Sequence, residues 1–226
     1  MLFNLGRVLY KKLLSKKLRI LVRNSIKFII YNFRYLKLKC VLLFGNKVNL
    51  VLGAALTSQP RWISTNEQWF DISNKFHWYR LFKNKRKLNK ALAEHVFEHL
   101  SKEEMSCAIN LIYSHLTKNG TLRIAVPDGN HPDPTYRKHT GINGIGADAS
   151  DHKQFITFEY LKNQLESAGF KCVLREGYTN QGELVSKPLP NELGIIMRSR
   201  KNISPIKQDG WDFIDSNSSL IVDAFK

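Results

Sequence analysis

Residues 93–100 read Ala93-Glu94-His95-Val96-Phe97-Glu98-His99-Leu100 and hold two histidines and two carboxylates within six positions. The run Lys90-Ala91-Leu92-Ala93 leads into this cluster, which predicts a strand that ends there. A helical pattern follows at residues 102–116, and then come a turn at Lys118-Asn119-Gly120, a β-rich run at 121–126 and an acidic stop at Pro127-Asp128-Gly129. This order predicts a polar site at the ends of neighbouring parallel strands, where open α/β sheets bind ligands.

Further strands and helices are predicted on either side of this block. Thr157 is the predicted N-cap of a helix that ends before Gly169. Strands and helices alternate from residue 48 onward, which predicts a mostly parallel sheet. The segment 128–153 is a long loop, of a length typical of a functional lid or a disordered segment. Apolar runs predict the other strands at residues 48–52, 62–66, 69–72, 170–175, 193–197 and 219–225.

The positive charge of the chain is concentrated at its beginning. The formal net charge of the 226 residues is +16, and residues 1–66 carry thirteen Lys or Arg and no Asp or Glu. The first acidic residue is Glu67, so the remaining 160 residues are close to neutral, at +3. The basic part therefore needs an explanation of its own, and we divide the chain into a basic arm at 1–47 and a domain at 48–226.

Residues 8–36 predict a basic amphipathic helix within this arm. One face carries apolar side chains and the opposite face carries basic ones. Three interpretations stay open: packing on the domain with a solvated basic face, an in-plane position on an anionic membrane surface, and nucleic-acid binding, which is disfavoured because no recognition motif is present. The apolar set is Leu14, Leu18, Leu21, Val22, Phe28 and Ile29, and the basic set is Lys12, Lys16, Arg19, Arg23 and Lys27.

Composition also indicates where the chain works. The best apolar stretch, residues 20–44, is interrupted by five Lys or Arg, so we expect neither a transmembrane span nor a cleavable signal peptide. Cys40, Cys107 and Cys172 are far apart and odd in number, which favours a reducing compartment over a disulfide framework or a structural zinc site. We therefore predict a cytoplasmic protein, peripheral on the inner membrane face if the arm binds lipid.

The chain from residue 48 to its end resembles the class I S-adenosylmethionine-dependent methyltransferases, and looks most like a bacterial branch found among surface-glycan genes. The similarity covers roughly 180 residues in the right order, and the block 93–129 is its most specific part. The other matching pieces are Leu52-Gly53-Ala54-Ala55, Trp62-Ile63-Ser64-Thr65-Asn66, Phe70-Asp71-Ile72, Asp151-His152-Lys153, Ala168-Gly169-Phe170 and Ser219-Leu220-Ile221-Val222-Asp223-Ala224.

The resemblance implies a Rossmann-like sheet of seven strands, one of them antiparallel near the edge, with helices on both faces. It implies S-adenosylmethionine as cofactor and a glycan or sugar-derived small molecule as acceptor. The methionine end of the cofactor would lie over a loop after the first strand, the ribose at the second strand and the adenine near the next acids. The implied residues are Gly53, Ala54 and Ala55, then Thr65 and Asn66, then Asp71, Glu94 and His95.

Two positions depart from the family pattern. Ala55 stands where the family prefers glycine and adds a methyl group where backbone and cofactor come close. Asn66 stands where the family prefers an acid, and an amide oxygen accepts fewer strong hydrogen bonds than a carboxylate. These departures motivate an alternative function, a degenerate, non-catalytic methyltransferase-like module that serves a glycan-assembly complex.

The acid–histidine cluster itself allows several interpretations. His95-x-x-Glu98-His99 matches a zinc-hydrolase motif if it lies on a helix, but a predicted strand directly precedes it. Some cation-dependent methyltransferases carry Glu-x-x-Glu-His at this place, which suggests a magnesium site. His95 stands where they have the first Glu, and this weakens the suggestion. The plainest interpretation is structural, with Glu98 bonded to the following helix and His99 packed under the long loop. We assign no metal to the cluster from the sequence.

Methyl transfer to a hydroxyl is aided by a base near the acceptor, and histidine suits that role at neutral pH. His152 is the first candidate, because a residue at the end of the lid loop can reach the acceptor. The other candidates are His99, Asp128 and His131.

Overall fold

The computed structural model describes residues 16–55, 57–146, 149–197, 206–208, 211–213 and 219–226. The α-helices are α1 (Lys16–Leu43), α2 (Lys75–Phe82), α3 (Lys102–His115), α4 (Pro134–Thr140) and α5 (Phe158–Ser167), with 3-10 turns at Phe97–His99 and Asn191–Leu193. The strands are β1 (Val48–Leu52), β2 (Ile63–Ser64), β3 (Leu88–Glu94), β4 (Leu116–Pro127), β5 (Lys171–Tyr178), β6 (Leu184–Ser186), β7 (Ile206–Gln208), β8 (Trp211–Phe213) and β9 (Ser219–Phe225).

Seven of these strands form one sheet in the order β2-β1-β3-β4-β9-β5-β6, and β7 pairs with β8 separately. Neighbours from β2 to β4 are parallel, β9 is antiparallel to both β4 and β5, and β6 is antiparallel to β5. The predicted Rossmann-like sheet of seven strands is therefore confirmed. Its direction pattern differs in one respect, because β6 returns along β5 after the turn at Thr179 and Gly182, so two strands oppose the other five.

Three local predictions were wrong. Residues 69–72 form turns and an extended segment instead of a strand, and residues 193–197 form the end of a 3-10 turn followed by irregular backbone. The predicted turn at 118–120 is a bulge inside β4, where four residues separate the partners of Leu88 and Lys90. The predicted cap of α5 is confirmed, since the Thr157 side chain accepts a hydrogen bond from the Tyr160 N–H.

The larger core lies between one face of the sheet and helices α1, α2, α3 and α5. It receives every second side chain of each central strand, as the pleat requires. A smaller core on the other face includes Val51, Leu92 and Ile221, and Ile196 and Leu189 pack against it from the segment after β6.

The arm is a long helix with two different surfaces. Its domain side buries Tyr31, Leu38 and Leu42. Much of the predicted apolar face is open to solvent instead, because the domain contacts α1 from another side; Leu21 is 64% exposed and Ile29 is 65% exposed. Residues 1–15, with Lys12 and Leu14 of the predicted faces, lie outside the described residues. No helix in the described ranges is long and apolar enough to cross a membrane.

A buried ion cluster joins three strands on the side of the smaller core. The Arg123 guanidinium donates from Nε to Asp223 Oδ1 at 2.6 Å and from Nη2 to Oδ2 at 2.8 Å. Arg175 Nε donates to the same Oδ2 at 2.7 Å. Arg123 Nη1 also donates to the carbonyls of Pro190 and Gly194. One carboxylate thus links β4, β9 and β5 to the segment that covers this face.

We expect Asp223→Ala to lower the free energy of unfolding by about 3–5 kcal/mol, because it leaves two guanidinium groups without their buried counter-charge. Urea unfolding measures this change. The matched control is Glu166→Ala, which removes the carboxylate of a half-exposed pair 3.8 Å from Lys162 and should change stability by less than about 1 kcal/mol. Equal losses in the two variants would contradict this account.

Candidate functional site

Two loops at the carboxyl ends of β1 and β3 contain residues in the left-handed backbone region. Gly53 has φ 58°, Ala55 has φ 46° and His95 has φ 53°. A Cβ at Gly53 would lie 2.7 Å from Val96 Cγ2, so the two loops pack too closely for any side chain there. Non-glycine residues adopt this conformation rarely, and such strain concentrates at functional sites. Ala55 therefore keeps the backbone geometry expected of the glycine that it replaces.

The loop after β1 is held from two directions. The Ala54 N–H donates to the Thr65 carbonyl at 2.8 Å, which fixes the loop against the end of β2. Arg34 of the arm donates from Nη1 to the Ala55 carbonyl at 2.7 Å and from Nη2 to the Thr57 carbonyl at 3.3 Å. Burial lowers the pKa of Arg34, an effect that Tyr31 opposes. No sequence pattern pointed to this role of Arg34, because the arm lies outside the resemblance.

A cavity of about 1290 Å³, the strand-end cavity, opens over these loops. Five of the predicted cofactor residues line it: Gly53, Ala55, Asn66, Asp71 and His95. Its wall also includes Lys27 and Tyr31 of the arm, for which no sequence motif indicated a site role. Further histidines and acids come from the 99–104 region and the 139–153 segment, and they are His99, Glu104, His139, Asp151 and His152.

The other three predicted cofactor residues lie outside this lining. Ala54 is buried in the smaller core, and Thr65 is buried with its hydroxyl donating to the Val51 carbonyl at 3.2 Å. Glu94 Oε2 accepts a hydrogen bond from the Met197 N–H at 3.1 Å. Glu94 follows Leu92 by two positions, so the pleat directs it to the smaller core. The positions of Ala54, Thr65 and Glu94 in the structure therefore do not support their expected contacts with a cofactor.

Asn66 and Asp71 offer different polar surfaces to the cavity. The Asn66 side chain is 7% exposed, and its Oδ1 has no hydrogen-bond partner among the described residues. An unpaired buried acceptor is costly, which makes this oxygen a place for a ligand donor. Asp71 Oδ1 already accepts from the N–H and the hydroxyl of Ser73, at 2.9 and 2.7 Å.

The acid–histidine cluster is a tight turn and not an α-helix. His95 follows β3 directly, and Glu98 and His99 lie in the 3-10 turn Phe97–His99. The two histidines therefore do not occupy successive turns of one α-helix, as the zinc-hydrolase motif requires, and that interpretation is wrong. His95 Nδ1 instead lies 3.0 Å from Glu98 Oε1. Burial alone would raise the pKa of Glu98, but the contacts with His95, its own backbone N–H and His99 hold this pKa below its ordinary value.

Two of the predicted catalytic residues meet at the rim of the same cavity. The rings of His99 and His152 are perpendicular, with centroids 4.7 Å apart. His152 Nδ1 lies 2.8 Å from the Thr140 carbonyl, and His99 Nδ1 lies 3.1 Å from Asp151 Oδ1, although the angle there is poor for a hydrogen bond. His152 reaches this place because the Lys153 N–H donates to the Glu98 carbonyl at 2.8 Å.

Asp128 and His131 do not join this group. Asp128 is fully buried outside the cavity lining, and its oxygens accept from the Asn130 N–H at 2.9 Å and the Tyr178 N–H at 2.6 Å. Its placement is that of a link between β4 and β5. Burial raises the pKa of Asp128 to about 6 against the effect of these hydrogen bonds. His131 stacks on Tyr136 with centroids 3.9 Å apart, and burial lowers its pKa.

The predicted lid is partly regular. It contains α4, whose N-cap Asp133 accepts from the Thr135 N–H, and its described turn residues pack closely. A Cβ at Gly144 would lie 2.4 Å from the His139 carbonyl oxygen, so this part is folded against itself. The segment therefore supplies a fixed wall of the cavity through His139, Thr140 and His152.

No family model and no curated protein matches this sequence. Several solved structures are similar to the chain. A SAM-dependent methyltransferase from Thermotoga maritima has 13% identity and a TM-score of 0.45, over 92% of this chain and 97% of that chain. One from Archaeoglobus fulgidus has 16% identity and a TM-score of 0.47 over 85% and 94%, and one from Mesorhizobium loti has 12% and 0.44 over 79% and 90%. At these identities the function has to come from the site itself.

The burial of Asp128 predicts a particular pH dependence of stability. Because its pKa is higher in the folded chain than in the unfolded chain, the folded state holds this proton more tightly. The resulting stabilisation is complete below about pH 4 and is lost as the pH rises through about 6, by about 3 kcal/mol in total. Urea unfolding of the wild type and of Asp128→Asn, from pH 4 to pH 7, should show their difference in stability shifting by this amount. A constant difference would contradict the raised pKa.

Proposed function

We propose that this chain is an S-adenosylmethionine-dependent methyltransferase that acts on a glycan or sugar-derived acceptor. The observation that carries the proposal is the strand-end cavity, where left-handed residues after β1 and β3 open the backbone next to the unpaired oxygen of Asn66. Ligands of open α/β sheets bind at this edge of the sheet. The cavity also exceeds the size typical of a single small-ligand pocket, which suits a cofactor together with an acceptor.

The residues present fit the cofactor. Gly53 and Ala55 leave backbone groups accessible for its methionine end, and Lys27 on the same cavity supplies a positive charge. Asn66 Oδ1 is an acceptor for a ribose hydroxyl, and Asp71 and His95 line the part assigned to the adenine. Bound S-adenosylmethionine supplies an electrophilic methyl group on a sulfonium sulfur. The protein has to hold the acceptor oxygen in line with it, and such positioning provides much of the acceleration in an enzyme.

The alternative function, a degenerate module that does not bind the cofactor, depends in part on the effect of Ala55. Its methyl group narrows the approach to the loop, which favours loss of cofactor binding. Its φ of 46° nevertheless keeps the backbone in the conformation that glycine would adopt, and Arg34 holds its carbonyl in place. The loop geometry therefore supports a working site over a degenerate one.

The acceptor side of the cavity is polar. Glu104, Ser150, Asp151 and Lys153 line it beyond the two histidines. This mixture of donors and acceptors suits a polyhydroxylated molecule better than an aromatic one. His99 and His152 lie there, where a hydroxyl has to lose its proton for methyl transfer.

We expect Asn66→Ala to weaken the binding of S-adenosylhomocysteine about 10-fold, because a buried hydrogen bond to the ligand is lost. Asn66→Asp should bind at least as tightly as the wild type, because a carboxylate accepts from both ribose hydroxyls. Isothermal titration calorimetry measures these affinities.

The matched control for this titration is Asn163→Ala, on the exposed side of α5 and away from the cavity, which should leave the affinity unchanged. Absence of heat with the wild type at millimolar ligand would reject the methyltransferase and leave the degenerate module. Formation of S-adenosylhomocysteine from S-adenosylmethionine with sugar acceptors is the direct assay of the reaction.

We also propose that the arm lies on an anionic membrane surface, which places the protein at the cytoplasmic face. Leu18, Ile29, Phe33 and Leu36 are exposed on the side of α1 away from the domain. Soluble proteins seldom leave such a stripe open unless it binds something. The absence of any acid from residues 1–66 selects an anionic partner, and each Lys or Arg near such a surface contributes on the order of 1 kcal/mol.

The same helix connects the membrane to the site. Lys27 and Tyr31, which line the strand-end cavity, lie at the same level of α1 as Ile29 and Phe33 of the apolar stripe, on the side that faces the domain. A membrane-bound arm therefore holds the cavity close to the lipid headgroups. This arrangement favours an acceptor that is itself attached to lipid.

Flotation of the full chain with liposomes tests the arm. We expect binding to vesicles with anionic lipid and a much smaller bound fraction with neutral lipid. Ile29→Glu/Phe33→Glu should lower the bound fraction at least 10-fold, because it places charge on the apolar face. The control Phe76→Glu changes a phenylalanine that is 64% exposed on α2, against 68% for Phe33, and should have no effect. Equal binding to neutral and anionic vesicles would contradict the electrostatic part.

A further inference from the structure

We propose that Glu98, His99 and His152 bind a divalent first-row transition cation on the wall of the strand-end cavity. Each residue offers one ligand atom, and these atoms all lie within 4.8 Å of one another. Glu98 and His152 are buried and His99 is partly buried. The sequence alone did not favour a metal here, because only the structure brings His152, 53 positions further along, beside the other two.

The spacing requires only a small contraction to form a coordination sphere. Bonds of about 2.1 Å in a tetrahedral site place ligand atoms about 3.4 Å apart. The two imidazole rings already meet edge to face with centroids 4.7 Å apart, so modest rotations bring their nitrogens together. The Lys153 and Gln154 N–H groups both donate to the Glu98 carbonyl, at 2.8 and 3.2 Å, which ties the segment of His152 to the turn of Glu98.

The groups behind the two histidines are of the kind that orient metal ligands. A carbonyl oxygen only accepts, so His152 Nδ1 carries the proton that bonds to Thr140, and Nε2 of the neutral ring is left as a donor of its lone pair. Asp151 Oδ1 lies 3.1 Å from His99 Nδ1 without forming a hydrogen bond, so a carboxylate stands behind this ring as well. Metal-bound histidines regularly donate their second ring N–H to a carbonyl or a carboxylate, which orients the ring and sets its tautomer.

The buried side chain of Glu98 supports the cation site independently of the spacing of the ligand atoms. Its side chain is 1% exposed, Oε1 contacts His95, and Oε2 has no hydrogen-bond partner among the described residues. Leaving a buried carboxylate oxygen unpaired destabilises a fold by roughly 1–3 kcal/mol or more. A cation bound between Glu98 and the two imidazoles would remove this penalty. A purely structural turn gives no reason for the unpaired Oε2 of Glu98, whereas a bound cation does.

Two imidazoles and one carboxylate select the class of cation. Mg²⁺ and Ca²⁺ prefer oxygen ligands, whereas Zn²⁺, Mn²⁺, Fe²⁺ and Co²⁺ accept this mixed set. Three protein ligands leave at least one position open, as in catalytic sites. Because His99 and His152 both line the cavity, an acceptor in the cavity would reach that position.

The use of the cation rests on the proposed function. Adjacent hydroxyls of a sugar acceptor can occupy the open positions, and a bound cation lowers the pKa of a hydroxyl group. The hydroxyl proton then passes to solvent, the acceptor oxygen forms a bond to the methyl carbon, and the carbon–sulfur bond breaks with its electron pair on sulfur. In this form His152 acts as a ligand and not as a base. Metal binding itself does not depend on methyl transfer.

Calorimetry on the full chain, freed of metal by a chelator and dialysis, tests the site with Zn²⁺, Mn²⁺ and Co²⁺ as probes. We expect one site per chain, and His99→Ala and His152→Ala should each weaken binding at least about 10-fold. His139→Ala, which changes a histidine on the same cavity outside the cluster, should leave the affinity unchanged. Thermal melting verifies that each variant is folded.

The visible spectrum of the Co²⁺-loaded wild type is a second measurement, which does not depend on any variant. Bands of a four- or five-coordinate ion with nitrogen ligands support the site. Absence of stoichiometric binding for all three cations, or binding unchanged in both histidine variants, overturns it. Titration of S-adenosylhomocysteine into the metal-free protein reports the proposed function separately, so that either proposal can fail without the other.

Discussion

The carboxylate of Asp223 is the interaction on which the arrangement of the sheet depends. Two guanidinium groups share it, so β9 is fixed to β4 through Arg123 and to β5 through Arg175. Arg123 then extends the same network to two carbonyls in residues 190–194, which close the smaller core. Arg123 and Asp223 are buried and Arg175 is partly buried, so the two interior charges are tolerated only because they are paired. The order of the central strands is therefore specified by electrostatics as well as by apolar packing.

The candidate site depends on a second constraint, the close packing of two strand-end loops. Gly53 has no room for a side chain because Val96 fills the space beside it. Glu98 then serves both sides of the cavity, because its side chain contacts His95 and its carbonyl accepts from residues 153 and 154. The cavity is thus formed by rigid strand ends and a loop that is bonded to them. This arrangement is what places His152 beside His99.

Much of the fold was predictable from the sequence, because strand and helix periodicity reports burial directly. The apolar runs predicted β1, β3, β4, β5 and β9, and the turn at Gly53 after β1 was also predicted. Arg123 is a charged residue inside an apolar strand, and Asp223 is another inside β9. No local sequence pattern shows that these two strands, 100 residues apart, pair with each other. The predicted catalytic role of Asp128 is not supported, for a related reason. Its two N–H donors are Tyr178, at the end of another strand, and Asn130, in its own turn.

The position of β9 has a consequence for how the chain reaches this structure during synthesis. About 90 residues separate the end of β4 from the start of β9, yet the two strands are direct neighbours. At ribosomal speeds of 5–20 residues per second, β4 waits roughly 5–20 s for its partner. During that interval the apolar edge of β4 is unpaired and Arg123 has no counter-charge. Such exposed apolar strand edges are what chaperones bind, so we expect the nascent chain to bind them. Contacts this distant in sequence also slow folding after release.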